Sequence, residues 1–243
     1  MFFISVAFMT TVLLHFNFTN AQVNPSDILK ESDKFRGDGV NSMSWDVEIQ
    51  TTEDEDVFTR TYNVKSKNVD AFIETLSPAK NKGEIYVFND NNMWYFKPSL
   101  KKPVSISARQ KLSGQTSNGD IASTKYSKDY NATLEKIEKD KYYILLLVSK
   151  NKNTTYDKIR YWVNIKSKLA EKAEFLGLDG QAFKKAEMKY ENSYLYRGQK
   201  LPFISTLVIG DVSHPSNTST LIYKNVKNEN FPDSIFNVNN ISR

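Results

Sequence analysis

From residue 42 onward, apolar and polar positions alternate with a period of two. Met43, Trp45, Val47 and Ile49 fall on one side and Ser44, Asp46, Glu48 and Gln50 on the other, the pattern of a half-buried antiparallel strand. After an acidic turn at residues 53–56 the alternation resumes through Phe58, Tyr62 and Val64 against Thr59, Thr61 and Lys65, so the two segments predict a hairpin. Val69, Ala71 and Ile73 extend the meander. Residues 83–89 and 92–97 predict a further pair about Asn89-Asp90-Asn91-Asn92, residue types that tolerate left-handed dihedrals. Strand patterns return at 130–137, 142–148, 159–165, 169–178, 183–190, 203–209 and 219–226, with turns at Gly180, Gly198 and His214-Pro215-Ser216-Asn217.

Two segments break the pattern. In residues 24–34, Pro25 and Ser26 stand ahead of Ile28 and Leu29, with Phe35 beyond, which predicts a capped helix ended by Gly37 and Gly39. Residues 105–126 carry Ser, Gln, Thr and Asn with Gly114 and Gly119 and no sustained alternation, which predicts loop with short helical turns. The total is about eleven or twelve strands. The fold class is therefore mainly β with minor α: one large antiparallel sheet that curls on itself or is covered by helices.

The N-terminal stretch has a different character. Residues 2–16 are almost wholly apolar, the first charge is Asp27, and Thr19 and Ala21 are the small residues expected beside a cleavage site. The apolar run, roughly 15 residues with Ser5, Thr10, Thr11 and His15 inside it, is shorter than the about 20 residues that span a bilayer. Residues 1–21 thus read as a cleavable secretory signal peptide, cut between Ala21 and Gln22, delivering one soluble domain at 22–243. The lack of Lys or Arg beside the initiator leaves a retained anchor as the alternative.

Composition removes most catalytic chemistry. No cysteine is present, which excludes a thiol nucleophile, a Cys-ligated metal and a lipidated cysteine. Cleavage would leave His214 as the sole histidine, too few for a triad or a multi-histidine metal centre. The pairs Glu171 with Glu174 and Asp54 with Asp56 have no telling spacing, and no Gly-Lys-Ser/Thr follows the Gly114 to Asp120 stretch. The reading is a protein that is not an enzyme and needs no metal or cofactor. Its net charge of +5 is dispersed among acidic residues, which argues against nucleic acid. Lys97, Lys101, Lys102, Arg109 and Lys111 either greet an anionic surface or form a solvated face. Trp45, Trp94 and Trp162, with many Phe, Tyr and Met side chains on strands, either line a cavity for a hydrophobic guest or pack against covering helices.

Six segments, in order, carry a likeness to a known family: Leu76-Ser-Pro-Ala-Lys80 with Lys82-Gly83; Asn92-Met-Trp-Tyr95 with Pro98; Leu112-Ser-Gly-Gln-Thr-Ser-Asn-Gly-Asp-Ile121; Thr155-Tyr-Asp-Lys-Ile159 with Trp162-Val163; Lys172-Ala-Glu-Phe175; and Phe231-Pro-Asp-Ser-Ile-Phe236. Together they resemble the LolA-like superfamily, in the branch of outer membrane lipoprotein-sorting proteins. The resemblance implies a strongly curved, unclosed antiparallel β-barrel of about eleven strands covered by short helices, soluble in the periplasm and monomeric. Its apolar interior would hold the acyl chains of lipids or lipoproteins, with a membrane transporter or outer-membrane receptor as further partners and no nucleic acid. Candidate lining residues are Met43, Trp45, Val47, Ile49, Met93, Trp94 and Phe96. Arg109, Leu112, Gly114 and Gly119 form a candidate lid loop, the glycines supplying mobility. An RseB-like sensor, or an accessory module of a membrane transporter that binds a protein or lipidic signal, fits the same fold.

Overall fold

The structure, a computed structural model, describes residues 23–89, 92–122 and 125–241. The expected signal peptide and its cleavage site lie outside the described residues. The predicted helix forms as α1 (Pro25–Asp33), capped by the Asn24 side chain, which accepts the Ser26 N–H at 3.0 Å. Pro25 occupies the first turn, where its missing N–H leaves no bond unmade. A 3₁₀ turn (Lys34–Arg36) follows, and Gly37 ends it at φ +99°, in the left-handed region that glycine adopts without strain.

The chain then runs as an antiparallel meander through β1 (Ser42–Glu53), β2 (Asp56–Lys67), β3 (Asp70–Ser77), β4 (Ile85–Asn89), β5 (Asn92–Phe96) and β6 (Val104–Ile106). It leaves the sheet for a small hairpin, β7 (Lys111–Ser113) with β8 (Thr116–Ser117), and two short helices, α2 (Asn118–Ala122) and α3 (Tyr126–Asp129). A second meander returns through β9 (Tyr130–Glu138), β10 (Tyr142–Ser149), β11 (Lys158–Asn164), β12 (Ala170–Leu176) and β13 (Ala182–Lys189). The hairpin β14 (Asn192–Tyr196) with β15 (Gln199–Phe203) stands outside the main sheet, which β16 (Thr206–Asp211) and β17 (Thr218–Asn228) complete.

Strand order explains the shape. The 13-stranded sheet runs β6-β5-β4-β3-β2-β1-β17-β16-β13-β12-β11-β10-β9, so the chain starts at the middle, travels to one edge, crosses, and returns from the other edge to pair β17 with β1. Laid flat, thirteen strands about 4.8 Å apart would place the edges roughly 58 Å from each other. The connection from β6 to β9, residues 107–129, is spent on a hairpin and two helices, so the sheet curls and the connection fills its hollow. The edges β6 and β9 do not pair, and the barrel is unclosed.

One continuous core occupies the concave side. Tyr62, Val64, Ile73, Leu145, Leu147, Ile159, Tyr161, Ile209 and Leu221 are almost wholly buried there. Trp45 packs at 5.7 Å from Phe203 of the β15 hairpin. Among the described residues the strand count is seventeen rather than about eleven. The twelve alternating segments all form, and the excess consists of short strands of two to five residues, β6, β7, β8, β14 and β15, too brief to show a period. The segment 203–209 is also not one strand. Its chain breaks at Ile204 and Ser205, where Ser205 donates its N–H to the Lys189 carbonyl at 2.8 Å.

Candidate functional site: a plugged hollow with an open cleft

Side chains of β1 and β5 show how alternation sorts the expected lining. Met43, Trp45, Val47, Ile49 and Met93 are 0–2% exposed and belong to the concave core. Trp94 and Phe96 occupy the intervening positions of β5 and face the convex side, opposite Val87 and Ile85 of β4. Five of the seven candidates are thus together, and two are on the far side of the sheet.

The hollow is filled by the connection itself. Residues 112–122 are buried throughout, and several of their polar groups bond to the sheet, although the Thr116 hydroxyl has no partner among the described residues. The Ser219 hydroxyl donates to the Ser113 carbonyl at 3.3 Å and accepts the Gln115 N–H at 2.8 Å, while Thr51 Oγ1 lies 3.1 Å from Ser113 Oγ. Gly114 sits at φ +53°, and a Cβ there would come 2.2 Å from Thr51 Cγ2. Gly119 presses on the next motif, since its Cβ would lie 1.9 Å from Thr155 Oγ1. Asp120 accepts the Ser117 N–H at 2.8 Å and the Tyr156 hydroxyl at 2.9 Å, and Tyr156 stacks on Phe175 at 3.8 Å. Arg109 makes a forked ion pair with Asp157 at 2.6 and 2.9 Å. The segments 112–121, 155–159 and 172–175, separate in sequence, are thus one interlocked unit.

Residues that sequence reasoning passed over tie this plug to α1. Asp33, wholly buried at the end of α1, accepts the N–H groups of Tyr126 at 3.1 Å and Ser127 at 2.7 Å and so caps α3. The Arg36 guanidinium lies 4.3 Å from the Tyr126 ring centroid, and that ring packs edge-on against Tyr130 and Tyr161 at 5.4 and 5.5 Å. Burial pushes the Asp33 carboxyl up to about 6, against the pull of the Ser127 bonds and the Arg36 charge. Burial likewise raises Asp120 and lowers Lys184, whose ammonium donates to the Gln115 carbonyl at 2.6 Å. The enclosed space beside Arg36, Asp120 and Tyr161 is about 10 Å³, room for one water. The only sequence signal for this cluster is an acid and an arginine three positions apart at a helix end, which is common on solvated helices as well.

An open cleft of about 500 Å³ lies where β2, β4 and β5 meet the plug, walled by Tyr86, Tyr95, Ile106 and Leu112 together with the polar Asn81, Gln110, Lys111 and Asn118. Arg60 and Glu84 stand at its polar end, and Arg60 forms no ion pair among the described residues. Burial, then the Glu84 carboxylate, hold the Tyr95 phenol up at about 12. Of the basic cluster, Arg109 is held by Asp157 and Lys111 by Glu53, while Lys97, Lys101 and Lys102 are exposed. Of the acidic pairs, Glu171 accepts from Tyr142 and Asn164 and Glu174 pairs with Arg160 at 2.9 Å, while Asp54 and Asp56 are exposed at the turn from β1 to β2. His214 is exposed beside Asp211. Among the described residues no group of three or more His, Cys, Asp or Glu could hold a metal ion, and no helix is long and apolar enough to cross a membrane.

Comparison with known proteins adds relatives to this geometry. A family model described only as an uncharacterized protein matches residues 67–243. A LolA superfamily protein from Nitrosomonas europaea is 30% identical, with 88% of this chain and 98% of that one covered at a TM-score of 0.78. A DUF1329 family protein from Desulfovibrio piger is 18% identical, with 89% and 97% covered at 0.73. An outer membrane lipoprotein-sorting protein domain from Vibrio parahaemolyticus is 19% identical, with 90% and 98% covered at 0.73, and like the previous one shares the fold. No curated protein matches the sequence.

Proposed function

Because this chain belongs to the LolA superfamily, we propose that it is an exported binding protein that shelters the acyl chains of lipids or lipoproteins, without catalysis and without a cofactor. The observation that carries the proposal is the cleft between the plug and β2, β4 and β5, a mouth of mixed character in which Tyr86, Tyr95, Ile106 and Leu112 stand among polar side chains, with a volume within the range of ligand sites. Beneath the plug lies the apolar concave face with Met43, Trp45, Val47, Ile49 and Met93. An acyl chain that enters the cleft and displaces Leu112 keeps the about 0.8 kcal/mol per methylene that leaving water is worth, so exchange with a membrane is close to balanced and needs no chemistry. The segment 112–121 then acts as the lid, released from Thr51 and Ser219 rather than hinged on mobile glycines. Removal of residues 1–21 at Ala21 would free the protein, as a monomer, in the space between two membranes. The lipoprotein-sorting description of the Vibrio parahaemolyticus domain points the same way.

The test is uptake. The protein is purified from its native compartment and analysed by native mass spectrometry, then titrated with a fluorescent fatty acid. Co-purified acylated species and saturable uptake that weakens when Leu112 is changed to Asp are expected. A protein that carries no acyl species and takes up no probe refutes the reading, and recovery of a stoichiometric membrane-protein partner instead would favour the sensor or accessory module.

A further inference from the structure

The convex face carries a second apolar cleft, separated from the hollow by the sheet itself. Outward positions of an antiparallel sheet are polar where water covers them, as Asp46 and Glu48 are on β1. On β3 to β5 several are not. Lys65 stands opposite Phe72, Phe72 opposite Val87 and Val87 opposite Trp94, while Ile85 stands opposite Phe96 in the neighbouring row. The chain after β17 folds back over this patch as a strap, residues 231–241, with Phe236 and Ile241 buried against it. Lys67 pins the strap by donating to the Phe231 carbonyl at 3.0 Å and pairing with Asp233 at 2.6 Å.

The strap does not fill the space beneath it. A cleft of about 490 Å³ remains between sheet and strap, with Phe72 and Ile85 as floor, Ile235 and Ile241 as wall, and Lys65 at one end. The Lys65 ammonium lies 5.5 Å from the Phe72 ring centroid and 5.7 Å from that of Phe231 and makes no ion pair among the described residues. Asp233, the acid of the strap, is already engaged by Lys67. One unneutralised cation at the end of an apolar cleft of ligand size is complementary to a single hydrocarbon chain ending in an anion.

We infer that this outer cleft is a second ligand site, which binds a long-chain fatty acid with its carboxylate on Lys65 and its chain laid between Ile85 and the strap. The site shares no residue with the plugged hollow, so it stands whether or not the hollow accepts acyl chains. A photoreactive palmitate analogue is cross-linked to the full protein and the labelled peptides are mapped, alongside titrations with palmitate and with hexadecanol. Labelling within 72–85 and 235–241 is expected. Lys65→Gln weakens palmitate binding at the mapped site at least tenfold and hexadecanol binding less than twofold, and Ile235→Glu removes labelling of these peptides while the melting curve stays cooperative. Label confined to concave residues overturns the inference. So does palmitate binding unchanged in Lys65→Gln, or a cleft that takes up no probe because the chain's own termini fill it.

Discussion

Asp33 is asked to do two opposed things. As a carboxylate it caps α3 by accepting two N–H groups, yet its complete burial disfavours the charge that makes it a good acceptor. The folded value near 6 lies above the ordinary unfolded Asp value of about 3.9, so the stabilising contribution of this group is full below about pH 4 and is lost as pH rises through 6. Two units correspond to about 3 kcal/mol. Denaturant unfolding of the wild type and Asp33→Asn at pH 5 and pH 7.5 checks this. Because pH 5 already lies midway through that interval, the wild type should lose about 1.4 kcal/mol relative to the variant on going to the higher pH, and parallel pH profiles would contradict it. Gly119 makes a simpler case: alanine drives a Cβ into Thr155 Oγ1, an overpacking that costs about 1–3 kcal/mol, and Thr155→Ala in the same chain should recover most of it.

Among the elements, those whose environment is two-sided were legible and those whose environment is tertiary were not. β1 could be read residue by residue because its inward Met43, Trp45, Val47 and Ile49 alternate with polar outward positions. β5 misled, because both its faces are apolar: Met93 faces the core while Trp94 and Phe96 lie on the convex side, and no period separates the two sets. The plug reads as loop because its polar residues look solvent-bound. They are buried instead, with Ser113, Gln115 and Asp120 satisfied by Thr51, Ser219 and Tyr156, partners from strands that no local pattern connects. The Arg109–Asp157 pair guards the start of this element from a partly exposed position, so its removal costs about 1 kcal/mol or less. Arg109→Ala should therefore leave the melting temperature nearly unchanged but speed amide exchange at Asn118 and Gly119, whose N–H groups bond back to Gln110 and Ala108, and speed probe uptake. Exchange as slow as in the wild type would show that the plug is held elsewhere.

For the molecule as a whole, the pairing that joins the two meanders is also the one most distant along the chain. Residues 43–52 of β1 meet residues 228–218 of β17, and Thr51 and Ser219 at that junction hold the plug. Contacts of such long sequence separation form late and slowly, because loop closure must precede any gain from them. A chain ended at residue 217 should accordingly stay unprotected from protease along its whole length rather than leave a folded N-terminal half, as limited proteolysis would show. The consequence reaches into how the protein is made. A nascent chain can pair β1 with β2 at once but leaves the other edge of β1 open until residues 218–228 have emerged, so the thirteen-stranded sheet cannot be completed before synthesis is nearly finished.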